Sequence, residues 1–130
     1  MLVVFDSLTG QTKRFANNLG FNTVHVKLYE ETDDDIFLVT RSINFGQIPE
    51  TTKDFLENYK HKVIGCAVSG NMNWGANFGM AGVKIENIYK IPLVKKFEGS
   101  GFKSDVEFVK NWILEKTKKE DKWVWIKEKI

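Results

Sequence analysis

Two stretches constrain this chain more than any others: Ile36-Phe37-Leu38-Val39 and Val63-Ile64-Gly65-Cys66-Ala67-Val68. Each is a short apolar run without the polar alternation of a half-exposed strand. Strands of this kind are covered on both faces, as in parallel sheets flanked by helices. Leu2-Val3-Val4-Phe5 opens the chain in the same way, and Pro92-Leu93-Val94-Lys95-Lys96-Phe97 reads as a further strand. Thr23 to Leu28 alternates apolar and polar residues, the pattern of an edge strand with one wet face.

Helical patterns separate these runs. Phe15, Ala16 and Leu19 form an apolar face, with Gly20 at the expected helix end. Pro49 suits the first position of a second helix carrying Thr52, Phe55, Leu56 and Tyr59. Phe78, Ala81, Ile85 and Ile88 keep helical register, as do Val106, Val109, Trp112 and Ile113, with Lys110 and Lys116 facing outward. Strand and helix therefore alternate along the chain, which predicts an α/β domain with a parallel sheet and helices on both faces.

A chain of 130 residues is one such domain. We take residues 1–118 as its body and 119–130 as an extension of it, where Trp123, Trp125, Ile126 and Ile130 are expected to cap the fold or add a partner surface. The net charge of +2 is spread without a basic stripe, which argues against nucleic acid. One cysteine, Cys66, suits a reducing compartment, and no apolar run is long enough for a membrane span, so a cytoplasmic protein is expected.

In a parallel α/β sheet, ligands bind beyond the carboxyl ends of the strands, where the strand order reverses. Three loops leave such ends: 6–12, 40–48 and 69–77. The first, Asp6-Ser7-Leu8-Thr9-Gly10-Gln11-Thr12, runs from a strand into a helix start, where unpaired backbone N–H groups attract an anion. Ser7, Thr9 and Thr12 add hydroxyls, and Gly10 permits close approach. The loop lacks the Gly-x-x-x-x-Gly-Lys-Ser/Thr pattern of nucleoside triphosphate sites and the three spaced glycines of dinucleotide sites. A single terminal phosphate fits it better. Phe45 beside Gly46, and Trp74 beside Gly75, are rings on loop backbone outside any periodic face, which suggests a flat ligand.

Other chemistries lack their residues. His25 and His61 have no Cys or carboxylate at metal-ligand spacing, so no metal site is expected. Met72 stands where a Cys-x5-Arg phosphatase loop starting at Cys66 needs arginine, and Thr40 where a receiver domain needs aspartate. No Ser-His-Asp arrangement is apparent.

Phe5-Asp6-Ser7-Leu8-Thr9-Gly10, Asn44-Phe45-Gly46-Gln47-Ile48-Pro49 and Ser69-Gly70-Asn71 followed by Trp74-Gly75-Ala76-Asn77-Phe78 together resemble the flavin loops of the NrdI family. Lys96 to Gly101 is similar to that family's segment after its fifth strand, and the likeness spans about residues 1–115. The resemblance implies a flavodoxin-like, doubly wound five-stranded parallel sheet of order 2-1-3-4-5 holding FMN. Carried onto this chain, Ser7, Thr9, Gly10, Gln11 and Thr12 would hold the phosphate. Asn44, Phe45 and Gly46 would flank one side of the flavin ring, and Asn73, Trp74, Gly75, Asn77 and Phe78 the other.

The implied function is an accessory one rather than that of a stand-alone enzyme. An unidentified reductant loads the flavin, which reacts with dioxygen. The resulting superoxide then serves assembly of the dimanganese–tyrosyl radical cofactor in the class Ib ribonucleotide reductase small subunit. Alternatives are an electron-transfer flavodoxin with another redox partner, or an interaction module without cofactor.

Residues 40–47 and 69–82 contain no Asp or Glu, while Arg41 brings a positive charge. A cation beside a partly exposed anion favours it by about 1–2 kcal/mol, so two-electron reduction of the flavin is expected to be comparatively easy. Gly46 is expected to allow a redox-dependent peptide flip beside the flavin, and Gly46→Val to leave the fold intact.

Overall fold

The computed structural model describes residues 1–129, with side chains through Thr117. The strands are β1 (Leu2–Phe5), β2 (Asn22–His25), β3 (Ile36–Arg41), β4 (Val63–Gly70) and β5 (Leu93–Glu98). The helices are α1 (Gln11–Asn18), α2 (Glu50–Tyr59), α3 (Met80–Tyr89) and α4 (Lys103–Lys129). All sheet pairings are parallel, in the order β2-β1-β3-β4-β5. The doubly wound sheet expected from the sequence is therefore present.

The apolar strands bury both faces, and their two-residue period sorts the core into two layers. Val4, Leu38, Cys66 and Val68 pack with Phe55, Leu56, Ala81 and Ile85 of α2 and α3. Val3, Phe5, Phe37, Val39 and Ala67 pack with Phe15, Ala16, Leu19, Val109 and Ile113 of α1 and α4. Phe15 of α1 stacks on Phe97 of β5, with ring centroids 3.9 Å apart. The Trp112 ring lies so close over Gly65 that a Cβ there would come within 2.7 Å of it.

Several boundaries differ from the sequence reading. The edge strand stops at His25, and Val26–Leu28 forms a 3-10 turn because the His25 side chain accepts the Lys27 N–H and caps it. Pro49 lies just before α2, in extended backbone, rather than at its first position; its carbonyl accepts the Lys53 N–H. Phe78 lies outside α3, which starts at Met80 after left-handed Gly79. Beyond residue 117 the backbone continues α4 to Lys129, while the side chains of the expected 119–130 cap lie outside the described residues.

From β1 the chain crosses to β2 on one side, and from β3 to β4 on the other. The reversal lies between the adjacent strands β1 and β3, and the loops after them share one edge.

Candidate flavin site at the carboxyl edge of the sheet

The loop after β1 is built by two local bonds. Ser7 Oγ accepts the Gly10 N–H at 3.0 Å, and Gly10 takes φ +94°, a left-handed conformation favoured by glycine. The first helical bond of α1 runs from the Arg14 N–H to the Gly10 carbonyl. The N–H groups of Gln11, Thr12 and Lys13 precede it and form the anion-receptive end of the helix. Thr9 and Gln11 are exposed. The Thr12 hydroxyl, expected as a phosphate donor, turns inward: it is buried and donates to the Asp6 carbonyl at 2.6 Å. Thr12 thus offers its backbone N–H.

Asp6 is the buried hub behind this loop, with only 1% of its surface exposed. Its carboxylate accepts from the hydroxyls of Thr51 and Thr52 in the first turn of α2, the latter at 2.7 Å, and from Arg41 Nε at 3.4 Å. Because Thr52 gives its proton to Asp6, Thr40 donates to Thr52, at 2.6 Å. A buried charge persists only when it is paired and hydrogen-bonded, and these donors satisfy it while tying β1, β3 and α2 together. No sequence motif marks this role. The available signal was an acid directly after a buried strand, with hydroxyls at Thr40, Thr51 and Thr52 and a cation at Arg41.

The loop after β3 is a tight reversal. Ile43 and Gln47 pair in antiparallel fashion, and the Gly46 N–H donates to the Ile43 carbonyl at 3.0 Å. Asn44 and Phe45, between them, have φ +45° and +61°, both in the left-handed region. For phenylalanine this conformation costs about 1 kcal/mol, and the same turn leaves its ring 67% exposed. Gly46 is buried at φ +116°, and a Cβ there would stand 2.6 Å from Met80 Cβ and 3.3 Å from the Asn77 carbonyl. The expectation that Gly46→Val leaves the fold intact is therefore wrong: valine clashes with α3 and resists this φ.

The loop after β4 coils through Met72–Asn77. Asn71 Oδ1 accepts the Asn73 N–H at 2.9 Å, and the Asn71 carbonyl accepts the Trp74 N–H at 3.0 Å. Asn73, Gly75 and Asn77 are exposed, Trp74 and Phe78 are half-buried, and a Cβ on Gly75 would meet nothing within 4 Å. The Phe45 and Trp74 rings join the two loops, with centroids 5.6 Å apart and planes inclined at 57°. They touch each other rather than stand apart as the sequence reading placed them. A flat group between them requires two stacking distances, about 7 Å, and parallel planes.

The turn after β5 closes the site's outer side. Glu98 accepts the Met72 N–H at 2.8 Å, and Ser100 Oγ accepts from Arg14 at 3.0 Å. These contacts alter the electrostatic reading of the loops. Arg41 is paired with Asp6, and Glu98 brings a carboxylate to a loop that contains none of its own. The positive charge expected of Arg41 is thus compensated by Asp6.

Elsewhere, burial, with a smaller contribution from Glu86, pushes the Cys66 thiol up to about 12. A neutral thiol inside a strand has no nucleophilic role. Among the described residues no three or more His, Cys, Asp or Glu side chains group as metal ligands, and no helix is long and apolar enough to cross a membrane.

The residues fit a phosphate-bearing planar ligand. The helix start offers amides, a Cβ on Gly10 would likewise meet nothing within 4 Å, and the exposed Phe45 and half-buried Trp74 rings lie on the loops at the same edge of the sheet. Ser42 Oγ, after β3, is buried without a hydrogen-bond partner among the described residues. The family model described as NrdI flavodoxin-like matches residues 3–111. The chain belongs to the NrdI flavodoxin-like family. It is 42% identical over 106 residues to Protein NrdI of Bacillus licheniformis, covering 81% of each chain. It is also 42% identical over 110 residues to the SPbeta prophage-derived protein NrdI of Bacillus subtilis, covering 81% of this chain and 84% of that one.

Solved flavodoxins share the fold. A short-chain flavodoxin associated with a non-canonical PDU bacterial microcompartment superposes with a TM-score of 0.69 at 19% identity, covering 85% of this chain and 90% of that one. A Fusobacterium nucleatum flavodoxin bound to flavin mononucleotide gives 0.61 at 15% identity, covering 91% and 96%.

Proposed function

We propose that this protein binds FMN at the carboxyl edge of its sheet and, once reduced, serves a class Ib ribonucleotide reductase. The observation that carries this reading is the convergence there of an anion-receptive helix start with the ring-bearing loops of Phe45 and Trp74. Membership in the NrdI family supports the choice of partner.

Bound FMN supplies electron transfer from its reduced ring to dioxygen, giving superoxide. The chain's own residues bind and orient. The N–H groups of Gln11, Thr12 and Lys13, with the hydroxyls of Ser7 and Thr9, hold the phosphate. Gly10 lets it approach. Asn44, Phe45 and Gly46 flank one side of the ring, and Asn73, Trp74, Gly75, Asn77 and Phe78 the other, after the two aromatic rings part. The exposure of Phe45 and Met72 leaves this edge accessible to dioxygen and to the small subunit. Superoxide then drives assembly of the dimanganese–tyrosyl radical cofactor in that partner.

With Arg41 paired to Asp6 and the Glu98 carboxylate beside the loop after β4, the charges around the site do not by themselves distinguish this protein from an electron-transfer flavodoxin. Oxygen chemistry is therefore the discriminating property. The first test is purification and flavin analysis. A yellow protein, or a colourless one that takes up FMN stoichiometrically, supports the reading; a protein that cannot be reconstituted with FMN contradicts it.

A further inference from the structure

His25 ends β2, and its ring reaches across the sheet edge to the loop after β1. Nδ1 accepts the Lys27 N–H at 3.1 Å. An imidazole nitrogen that accepts carries no proton, so the proton of the neutral ring is assigned to Nε2. Nε2 lies 3.2 Å from the Ser7 carbonyl oxygen, while the Ser7 N–H points at the same nitrogen from 3.5 Å, the longer and weaker of the two contacts. With its proton there, it donates to the carbonyl. The ring also meets Phe5 edge-on, with centroids 5.4 Å apart at 83°, which fixes its orientation.

Ser7 is the residue whose Oγ takes the Gly10 N–H, so its peptide sets how the loop enters α1. We propose that His25 is a positioning residue that holds the phosphate loop in its anion-receptive shape through the Ser7 carbonyl. The assignment rests on the FMN reading. A cleft of about 570 Å³, bordered by Leu8, Lys13 and Leu28, opens beside the bond. Water therefore reaches the Ser7 carbonyl when the imidazole is removed, and the loop loses its position without leaving a dry unpaired group.

The two ring nitrogens can be tested separately, because the glutamine Nε2 amide stands in for the imidazole Nε2 and the asparagine Oδ1 for Nδ1. Dissociation constants for FMN and for riboflavin, which lacks the phosphate, are measured by flavin fluorescence quenching. The 130-residue protein is compared with His25→Ala, His25→Asn and His25→Gln, with thermal melts alongside. His25→Ala and His25→Asn are expected to weaken FMN about tenfold, with riboflavin changed by less than about twofold. His25→Gln is expected to stay within about threefold of the parent for FMN. Equal weakening of both flavins, or rescue by Asn but not Gln, overturns the proposal. A parent protein that binds both flavins equally overturns the phosphate reading and this assignment with it. If the parent prefers FMN and His25→Ala keeps the full preference, only the assignment falls.

Discussion

Phe45→Asn separates the two things that Phe45 does. The native residue holds φ +61°, where phenylalanine pays about 1 kcal/mol and asparagine much less. Its ring also meets Trp74 at 5.6 Å, a tilted aromatic contact worth about 0.5–1.5 kcal/mol. Being 67% exposed, it buries little else. Relieved strain and lost contact nearly cancel, so the folding stability of the flavin-free protein is expected to change by less than about 0.5 kcal/mol. Flavin binding has no such compensation. Stacking of a planar ring on an aromatic side chain is worth about 1–3 kcal/mol, so the FMN dissociation constant is expected to rise about tenfold to a hundredfold. Urea unfolding gives the first quantity and fluorescence quenching the second. Unchanged FMN affinity would refute the placement of the ring beside Phe45. A loss of more than about 2 kcal/mol in the flavin-free protein would refute the strain argument.

Other expectations follow from single contacts. Asp6→Ala leaves Arg41, the buried Thr52 hydroxyl and the half-buried Thr51 hydroxyl without their acceptor and should destabilise the fold by about 3 kcal/mol, read as a lower urea midpoint at unchanged slope. Gly46→Val should cost at least about 2 kcal/mol and weaken FMN, because the new side chain meets Met80 and Asn77. For Cys66, the unfolded chain ionises near the ordinary 9.0 while burial holds the folded thiol near 12. Its contribution is whole below 9 and is lost as pH rises to about 12, with a slope of about 1.4 kcal/mol per pH unit. The difference in pH-dependent stability between the parent and Cys66→Ala isolates that slope.

The layered sheet was legible because Ile36–Val39 and Val63–Val68 can be buried on both faces only by helices above and below. The two core layers follow directly from their alternation. The site's loops were legible through glycine and aromatic residues lying outside any period. What the sequence hid were contacts between residues distant along the chain. Arg41 read as a charge for the ligand because its partner, Asp6, is 35 positions away, and Glu98 reaches Met72 from the next strand. Gly46 read as a flexible hinge because its constraint comes from Met80, on a helix whose approach no local pattern specifies. His25 read as a strand residue without a role because its contact with Ser7 appears only once β2 lies beside β1.

The most direct measurement of the central claim is the tyrosyl radical yield, by electron paramagnetic resonance, in a class Ib small subunit loaded with manganese(II). The subunit is exposed to dioxygen with and without this protein, FMN-loaded and reduced. The account predicts a radical signal only when the reduced protein is present, and its suppression when superoxide is scavenged before the two proteins are mixed but not after they have formed a complex. Equal radical yields with and without the protein, or no radical in either case, would contradict it.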